Sequence, residues 1–128
     1  MRVDRVDHFV LTVADVAVAC DFYHRVLGMT VVSFGDGRKA LSFGQQKINL
    51  HAQGHEFEPK ARRPTPGAGD FCLLTSVPLA DVVAHLRDEG VAVIDGPVAR
   101  TGATGRIASI YFRDPDGNLV EVANQLAD

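Results

Sequence analysis

The chain has 128 residues, a formal net charge of −3 at pH 7, and 46% apolar residues. This length fits one domain with a hydrophobic core, and the composition excludes an intrinsically disordered chain. The negative charge and the lack of a long basic run argue against nucleic acid or an anionic membrane as a partner. No apolar run has the length of a signal peptide or membrane span, so we expect a cytoplasmic protein that acts on a small molecule.

The first part of the chain shows the pattern of a strand, a helix and three strands. Residues 5–13 alternate with a period of two, as a strand does. Asp15 is a suitable N-cap for a helix over 15–27, and Gly28 is a suitable end for it. Glycine-rich turns separate the three strands that follow, which we predict at 30–34, 38–43 and 47–52. This part forms module 1, at about residues 4–53.

Residues 54–68 contain three prolines and no periodicity, so they are predicted to be a linker or a lid. The order of elements then repeats as module 2, at about residues 69–124. The predicted elements are a strand at 69–75, a helix from near Leu79 that ends at Gly90, a strand at 91–94, a flexible loop at 98–107, and a hairpin of 107–113 and 119–123. Two similar modules in one α+β domain are therefore expected.

The closing hairpin contains a dense group of turn-forming residues at 114–118. One face of this hairpin is apolar, and the other carries Tyr111 and Glu121. A carboxylate in the middle of a short apolar strand is costly unless another group compensates it. A half-exposed strand with Glu121 in water explains the pattern equally well.

Histidine and carboxylate side chains fall on the strand faces opposite the apolar positions. They are His8 on the first strand, His51 on the fourth and Glu121 on the last. The repeat places Asp70 at the position of His8, although an Asp there is also a common turn residue. Imidazole nitrogen and carboxylate oxygen suit Zn, Ni, Co, Mn or Fe(II). We therefore predict a site for one divalent metal ion formed by His8, His51 and Glu121, with Asp70 as a candidate fourth ligand.

Further polar side chains are candidates for substrate binding. Asn49 and Tyr111 lie on the same strand faces as the predicted ligands. Arg100 and Arg106 flank a glycine-rich segment that would present a guanidinium to an anionic substrate. Two solvated arginines are an equally simple explanation of that pair.

Three motifs, at residues 7–13, 22–29 and 111–121, resemble the vicinal oxygen chelate superfamily, which includes glyoxalase I, extradiol dioxygenases and bleomycin-binding proteins. Within it the chain is most similar to glyoxalase domain-containing protein 5 and the biphenyl-2,3-diol dioxygenase III-related proteins. The resemblance implies two tandem βαβββ modules that form an open, eight-stranded, cup-shaped sheet around a metal ion, in a homodimer. His8 and Glu121 match the ligands of the first and last strands in this superfamily.

The chain departs from the superfamily pattern on two strands. Asn49 or His51 stands at the fourth-strand ligand position, and Asp70 stands at the fifth-strand position, where a histidine is expected. The resemblance therefore leaves the type of reaction open.

Three functions remain. One is a glyoxalase-type lyase or isomerase that chelates vicinal substrate oxygens and stabilises an enolate, with Glu121 or Asp70 moving the proton. The second is an Fe(II) extradiol dioxygenase in which Tyr111 steadies a catechol. The third is a metal-free module that binds a small molecule or an antibiotic.

Overall fold

The structure is a computed structural model that describes residues 1–127. Within these residues it contains two helices and eight strands, in the βαβββ order predicted for each module. The elements are β1 (His8–Val13), α1 (Val16–Leu27), β2 (Thr30–Phe34), β3 (Arg38–Phe43), β4 (Gln46–Ala52), β5 (Asp70–Leu74), α2 (Leu79–Asp88), β6 (Asp95–Gly102), β7 (Gly105–Arg113) and β8 (Leu119–Gln125). The chain divides into two compact units after Gly67, one for each module.

Module 1 is a four-stranded sheet with the strand order β1-β4-β3-β2 and one helix. β1 is parallel to β4, and the other neighbouring strands are antiparallel. The side chain of Asp15 accepts a hydrogen bond from the Val18 N–H (3.2 Å), and Gly28 ends α1 with φ of 68°. Both predicted ends of this helix are confirmed, because the capping groups are local in sequence.

Module 2 repeats this topology, with the strand order β5-β8-β7-β6 and β5 parallel to β8. Pro78 precedes α2 and offers no side-chain cap. Asn124 on β8 supplies the missing cap. Its Oδ1 accepts from the Leu79 N–H (2.8 Å), and its Nδ2 donates to the carbonyls of Thr75 (2.9 Å) and Val77 (2.8 Å). The start of α2 is therefore anchored to β8.

The predicted turn at 114–118 is held by two buried side chains. Asp114 Oδ1 accepts from the N–H groups of Asp116 and Asn118 (2.9 Å each), and Asp114 Oδ2 accepts from Asn118 Nδ2 (2.7 Å). Asn118 Oδ1 in turn accepts from the Gly69 N–H (2.7 Å), at the start of β5. The turn therefore also fixes the position at which β5 joins the sheet.

β6 differs from the sequence prediction. The predicted strand at 91–94 is irregular, and most of the predicted loop at 98–107 belongs to β6 and β7. Val98 pairs with Ser109 across the two strands, so the long β7 supplies a partner that local sequence does not reveal. Pro97 lies at the register shift before Val98, where a missing N–H is tolerated. Neither of the two described helices has the length and apolar character needed to traverse a lipid bilayer.

Candidate functional site

The sheet of module 1 has one face toward α1 and an opposite face that carries polar groups. Leu11, Ile48 and Leu50 are buried on the first face. Strand alternation and the pairing of β1 with β4 assign the opposite face. We call it the polar face of module 1, and on these two strands it comprises His8, Val10, Thr12, Lys47, Asn49 and His51.

His8 lies on this face and makes one close contact. Its Nδ1 is 2.7 Å from Oδ2 of Asp7, and both side chains are exposed. The hydrogen bond from His8 lowers the pKa of the Asp7 carboxyl, more than its slight desolvation raises it. An aspartate carboxylate can only accept, so Nδ1 carries the proton of this hydrogen bond and Nε2 is the nitrogen that a metal ion would bind. Metal-binding histidines have this arrangement.

Asn49 is a diagonal neighbour of His8, because it lies two residues beyond Lys47, the strand partner of His8. Such neighbours on one face of a sheet are about 7–8 Å apart, so their side chains can reach a common ion. The Asn49 side chain is 5% exposed, and its Oδ1 has no hydrogen-bond partner within residues 1–127. A buried amide oxygen without a donor is unusual in a folded protein. A cation would satisfy it.

His51 lies four residues beyond the strand partner of His8, which is about 13 Å along the strand. The structure therefore does not bring these two imidazoles together. His51 is 2% exposed, its Nε2 is 3.5 Å from Arg38 Nη2, and its ring packs edge-on against Phe57 (centroids 5.5 Å apart). Burial, and then the Arg38 charge, lower the pKa of His51, although Glu56 raises it in part. His51 is therefore neutral at pH 7.

Module 2 repeats the diagonal found in module 1. Asp70 pairs with Leu119, and Glu121 lies two residues further along β8. Asp70 and Glu121 are therefore diagonal neighbours on one face, about 7–8 Å apart. Asp70 is exposed. The pair His8 and Asn49 thus has its counterpart in Asp70 and Glu121.

Glu121 also pairs with Tyr111 on β7, so the two side chains share a face. The Tyr111 hydroxyl donates to the Glu121 carboxylate and accepts from Arg100 Nε (3.0 Å). Desolvation raises the pKa of Tyr111, with a further increase from Glu121, and the bond from Arg100 partly offsets both. Tyr111 is therefore a protonated hydrogen-bond donor at neutral pH.

Cys72 is the strand partner of Glu121 on β5. Desolvation, and then the charge and hydrogen bond of Glu121, raise the pKa of the Cys72 thiol to about 11. The thiol is therefore protonated and donates to the carboxylate. Two donors, Cys72 and Tyr111, consequently hold Glu121 from its two neighbouring strands.

Arg100 and Arg106 lie on neighbouring strands, and only Arg100 contacts Tyr111. Arg100 lies on β6, with Nη2 3.6 Å from Asp95 Oδ2 and its guanidinium 5.6 Å from the centre of the Tyr111 ring. Arg106 lies on β7, five residues before Tyr111, so alternation places its side chain on the other face of the strand. The structure therefore brings Arg100, and not Arg106, to Tyr111.

A protein site for a divalent cation needs several donor atoms, so no single side chain described above is sufficient. No three His, Cys, Asp or Glu side chains cluster as metal ligands in the described chain of residues 1–127. Each module nevertheless presents a diagonal pair of donors, with an orphaned amide oxygen at Asn49 and a free Nε2 at His8. Each pair by itself consists of donor types, imidazole nitrogen with amide oxygen or two carboxylates, that cations of the Mn, Fe(II), Co, Ni and Zn group accept.

The family of the chain follows from a sequence comparison. The family model described as the Glyoxalase/Bleomycin resistance protein/Dioxygenase superfamily matches residues 5–122. The chain belongs to this superfamily. Its duplicated βαβββ topology is the glyoxalase-like fold that the sequence motifs predicted.

Two superfamily members of high sequence identity are known by name. Virulence protein STM3117 of Salmonella typhimurium is 58% identical over 123 residues, which are 96% of this chain and 85% of that protein. The glyoxalase domain-containing protein RDO1 of Mycosarcoma maydis is 54% identical over 124 residues, 97% of this chain and 70% of that protein. The crystal structure of STM3117 matches with a TM-score of 0.97 and covers 98% of this chain and 100% of that one.

Two more distant structures share the fold alone. The antibiotic-binding protein TnmS3 of Streptomyces sp. CB03234 has a TM-score of 0.77 at 24% identity and covers 98% of this chain and 99% of that one. Lactoylglutathione lyase of Agrobacterium tumefaciens has a TM-score of 0.74 at 23% identity, covering 96% of this chain and 95% of that one. The same superfamily fold thus serves both a binding protein and an enzyme.

Sequence patterns alone did not identify four side chains near these groups. Asp7 had a local signal, because it precedes His8 directly. Cys72 follows Asp70 by two residues, so strand alternation already indicated a shared face. Arg38 and Phe57 had no such signal, because their contacts depend on the register of β3 and on the path of the segment after β4.

Proposed function

We propose that the protein is a divalent-metal-dependent enzyme of glyoxalase type, a lyase or isomerase acting on a small molecule with two adjacent oxygen atoms. The ligands we assign are His8 and Asn49 from module 1, and Asp70 and Glu121 from module 2. The observation that supports this most is the common diagonal register of the two pairs, with the orphaned Asn49 oxygen in one of them.

His51 was predicted as a ligand from sequence, and we leave it out of the proposed set. It lies about 13 Å along β4 from Lys47, the strand partner of His8. Its Nε2 also faces the Arg38 guanidinium, which would repel a cation at that nitrogen.

The donor set indicates which ions to test. One imidazole and three oxygen donors suit Mn, Fe(II), Co or Ni, and Zn also accepts such ligands. Bound by these residues, the cation would stabilise negative charge that develops on the vicinal oxygens.

The chain's own groups supply the proton chemistry. We assign Glu121 as the base that takes a proton from the carbon beside the substrate oxygens. Hydrogen bonds from Tyr111 and Cys72 hold the orientation of this carboxylate. Arg100 keeps Tyr111 in place through its Nε–H. Asp70 is the second carboxylate on this face and is the alternative proton carrier.

Metal binding is the first test. The protein is stripped of metal on a chelating resin and titrated anaerobically with each of the five ions by calorimetry. We expect one ion per chain, and an affinity loss of about 100-fold or more in His8→Ala and in Glu121→Gln. His55→Ala removes another exposed imidazole and should bind as the parent protein does. Absence of stoichiometric binding by any ion would overturn the enzyme proposal and favour the metal-free binding module.

Turnover is the second test. Metal-loaded protein is incubated in D₂O with hemithioacetals of methylglyoxal and small thiols, and isomerisation and deuterium incorporation are followed by NMR. We expect both to disappear in Glu121→Gln. Catechol-dependent oxygen uptake by the iron-loaded protein would instead identify an extradiol dioxygenase.

A homodimer and a cytoplasmic location stay predictions. Light scattering after size-exclusion chromatography gives the number of chains per particle directly. Adding stoichiometric metal to the same sample would show whether assembly depends on the ion.

A further inference from the structure

The polar face of module 1 carries an arginine held between two aromatic rings. The guanidinium carbon of Arg38 is 4.8 Å from the centre of the Phe34 ring and 4.6 Å from the centre of the Phe57 ring. We call these three side chains the arginine clamp. Contacts on two rings fix the plane of the guanidinium, so a ligand can approach only along its N–H edges, and it reaches the buried Nε only when a neighbouring side chain moves.

The edge of Arg38 that includes Nε and Nη2 is not satisfied by the protein. Nε is buried and has no acceptor in residues 1–127. Nη2 has one contact, at 3.5 Å from His51 Nε2, which is at the limit of a hydrogen bond. These two N–H groups form the fork that binds both oxygens of a carboxylate.

The charges around the arginine clamp favour an anion. The Lys47 ammonium is 4.0 Å from the centre of the Phe34 ring, so a second cation lies on the same ring as Arg38. Among the described residues, no carboxylate forms an ion pair with either of them. Two acidic groups lie near enough to interact with this region, Glu56 with His51 and Asp7 with Lys47, but Asp7 forms its close contact with His8. Two cations without a paired acid leave a positive site.

We propose that the arginine clamp binds the carboxylate of a small organic acid, through Arg38 Nε–H and Nη2–H with Lys47 nearby. His51, which neighbours Arg38, lies two residues beyond Asn49 and four residues beyond Lys47, the strand partner of His8. These offsets correspond to roughly 7 Å and 13 Å along the strand. The substrate of the proposed enzyme is then an acid whose carboxylate lies at about this distance from its vicinal oxygens. This assignment of substrate class rests on the proposed function, whereas the anion site does not.

The test uses metal-stripped protein, so that anion binding is measured independently of the metal site. Benzoate is titrated and the Arg38 Nε–H resonance is followed by NMR, with benzamide as the neutral analogue and inorganic phosphate as the second anion. We expect saturable shifts with benzoate, none with benzamide, and weaker binding of phosphate. Arg38→Met should weaken benzoate binding about tenfold or more, and Arg38→Lys, which keeps the charge without the fork, should also weaken it.

Arg25→Met is the matched control, because Arg25 lies on α1 and pairs with Asp21 (3.5 Å) away from the polar face. It should bind benzoate as the parent protein does. Phe57→Leu removes one side of the clamp and tests the site if Arg38→Met does not fold. Equal binding of benzamide, tighter binding of phosphate than of benzoate, or unchanged affinity in both Arg38→Lys and Phe57→Leu would overturn the proposal. Carboxylate binding without metal binding would retain the anion site and reject the proposed enzyme.

Discussion

Asn49 and Glu121 occupy the same register position in the two modules. Asn49 lies two residues beyond the strand partner of His8, and Glu121 lies two residues beyond the strand partner of Asp70. The duplicated fold therefore holds an imidazole and an amide in one module where it holds two carboxylates in the other. Their environments also differ, because Glu121 receives two hydrogen bonds and the Asn49 oxygen receives none within the described residues.

The unpaired oxygen of Asn49 predicts a conflict between stability and metal binding. In metal-stripped protein, Asn49→Leu should raise the free energy of unfolding by about 1 kcal/mol, because an unsatisfied buried polar atom is replaced by an apolar group of similar size. The same variant should bind metal more weakly. Urea unfolding and calorimetric metal titration measure the two effects separately.

Asn118 provides the contrasting case for this prediction. It is 1% exposed, and its side chain bonds both to Asp114 and to the Gly69 N–H. Asn118→Leu should therefore lower the free energy of unfolding by about 2–4 kcal/mol, since Asp114 Oδ2 loses the Asn118 donor and the Gly69 N–H loses its acceptor. Similar losses in both variants would mean that Asn49 is satisfied in solution.

Asp7 is predicted to act on metal binding through His8. Asp7→Asn should weaken metal binding about 10- to 100-fold, because the amide no longer fixes the His8 proton on Nδ1 as strongly as a carboxylate does. Asp4→Asn removes an exposed carboxylate that pairs with Arg2 (3.6 Å), and it should leave the metal affinity unchanged. An unaltered affinity in Asp7→Asn would remove His8 from the proposed ligand set.

Elements with local determinants could be predicted from the sequence. α1 begins at Asp15, whose side chain accepts from the N–H three residues further on, and it ends at a glycine with positive φ. The turn at 114–118 likewise depends on Asp114 and Asn118, four residues apart. The repeat then predicted the βαβββ order, because both modules contain the strand and helix patterns in the same order.

Features that depend on pairing between distant strands could not be predicted in this way. β6 begins at Asp95 because Tyr111 of β7 offers it a partner, although the nearby Pro97 has no N–H to donate to the sheet. The four-residue offset between His8 and His51 follows from the register of β1 with β4. Alternation predicts that both histidines share a face, but the distance between them along the strand depends on the register.

Asn124 is predicted to be a stability determinant of module 2. Asn124→Ala should lower the free energy of unfolding by about 2–3 kcal/mol, because the Leu79 N–H and two carbonyls lose their partner together. Gln125→Ala, whose exposed side chain donates to the Arg106 carbonyl (3.1 Å), should cost less than about 1 kcal/mol. Urea unfolding of the two variants makes the comparison, and equal losses would contradict the anchoring role of Asn124.

The contact between Cys72 and Glu121 predicts how the alkylation rate of the thiol depends on pH. A pKa of about 11 means that Cys72 is mostly protonated at pH 9, so alkylation by iodoacetamide should be slow there and accelerate as pH rises. Glu121→Gln removes the negative charge beside the thiol, which should lower its pKa and increase the alkylation rate at pH 9. The increase should be only several-fold, because desolvation is the larger cause and stays in place.

Cys20 is an internal reference for that experiment, because burial also raises the pKa of its thiol but Lys39 is the charge beside it. Mass spectrometry of both cysteines over a pH series gives the two rates from one sample. A rate at Cys72 that is the same in the parent protein and in Glu121→Gln would show that the carboxylate does not contact the thiol. In that case Tyr111 alone would hold Glu121, and the carboxylate would be freer to turn than the proposed proton transfer requires.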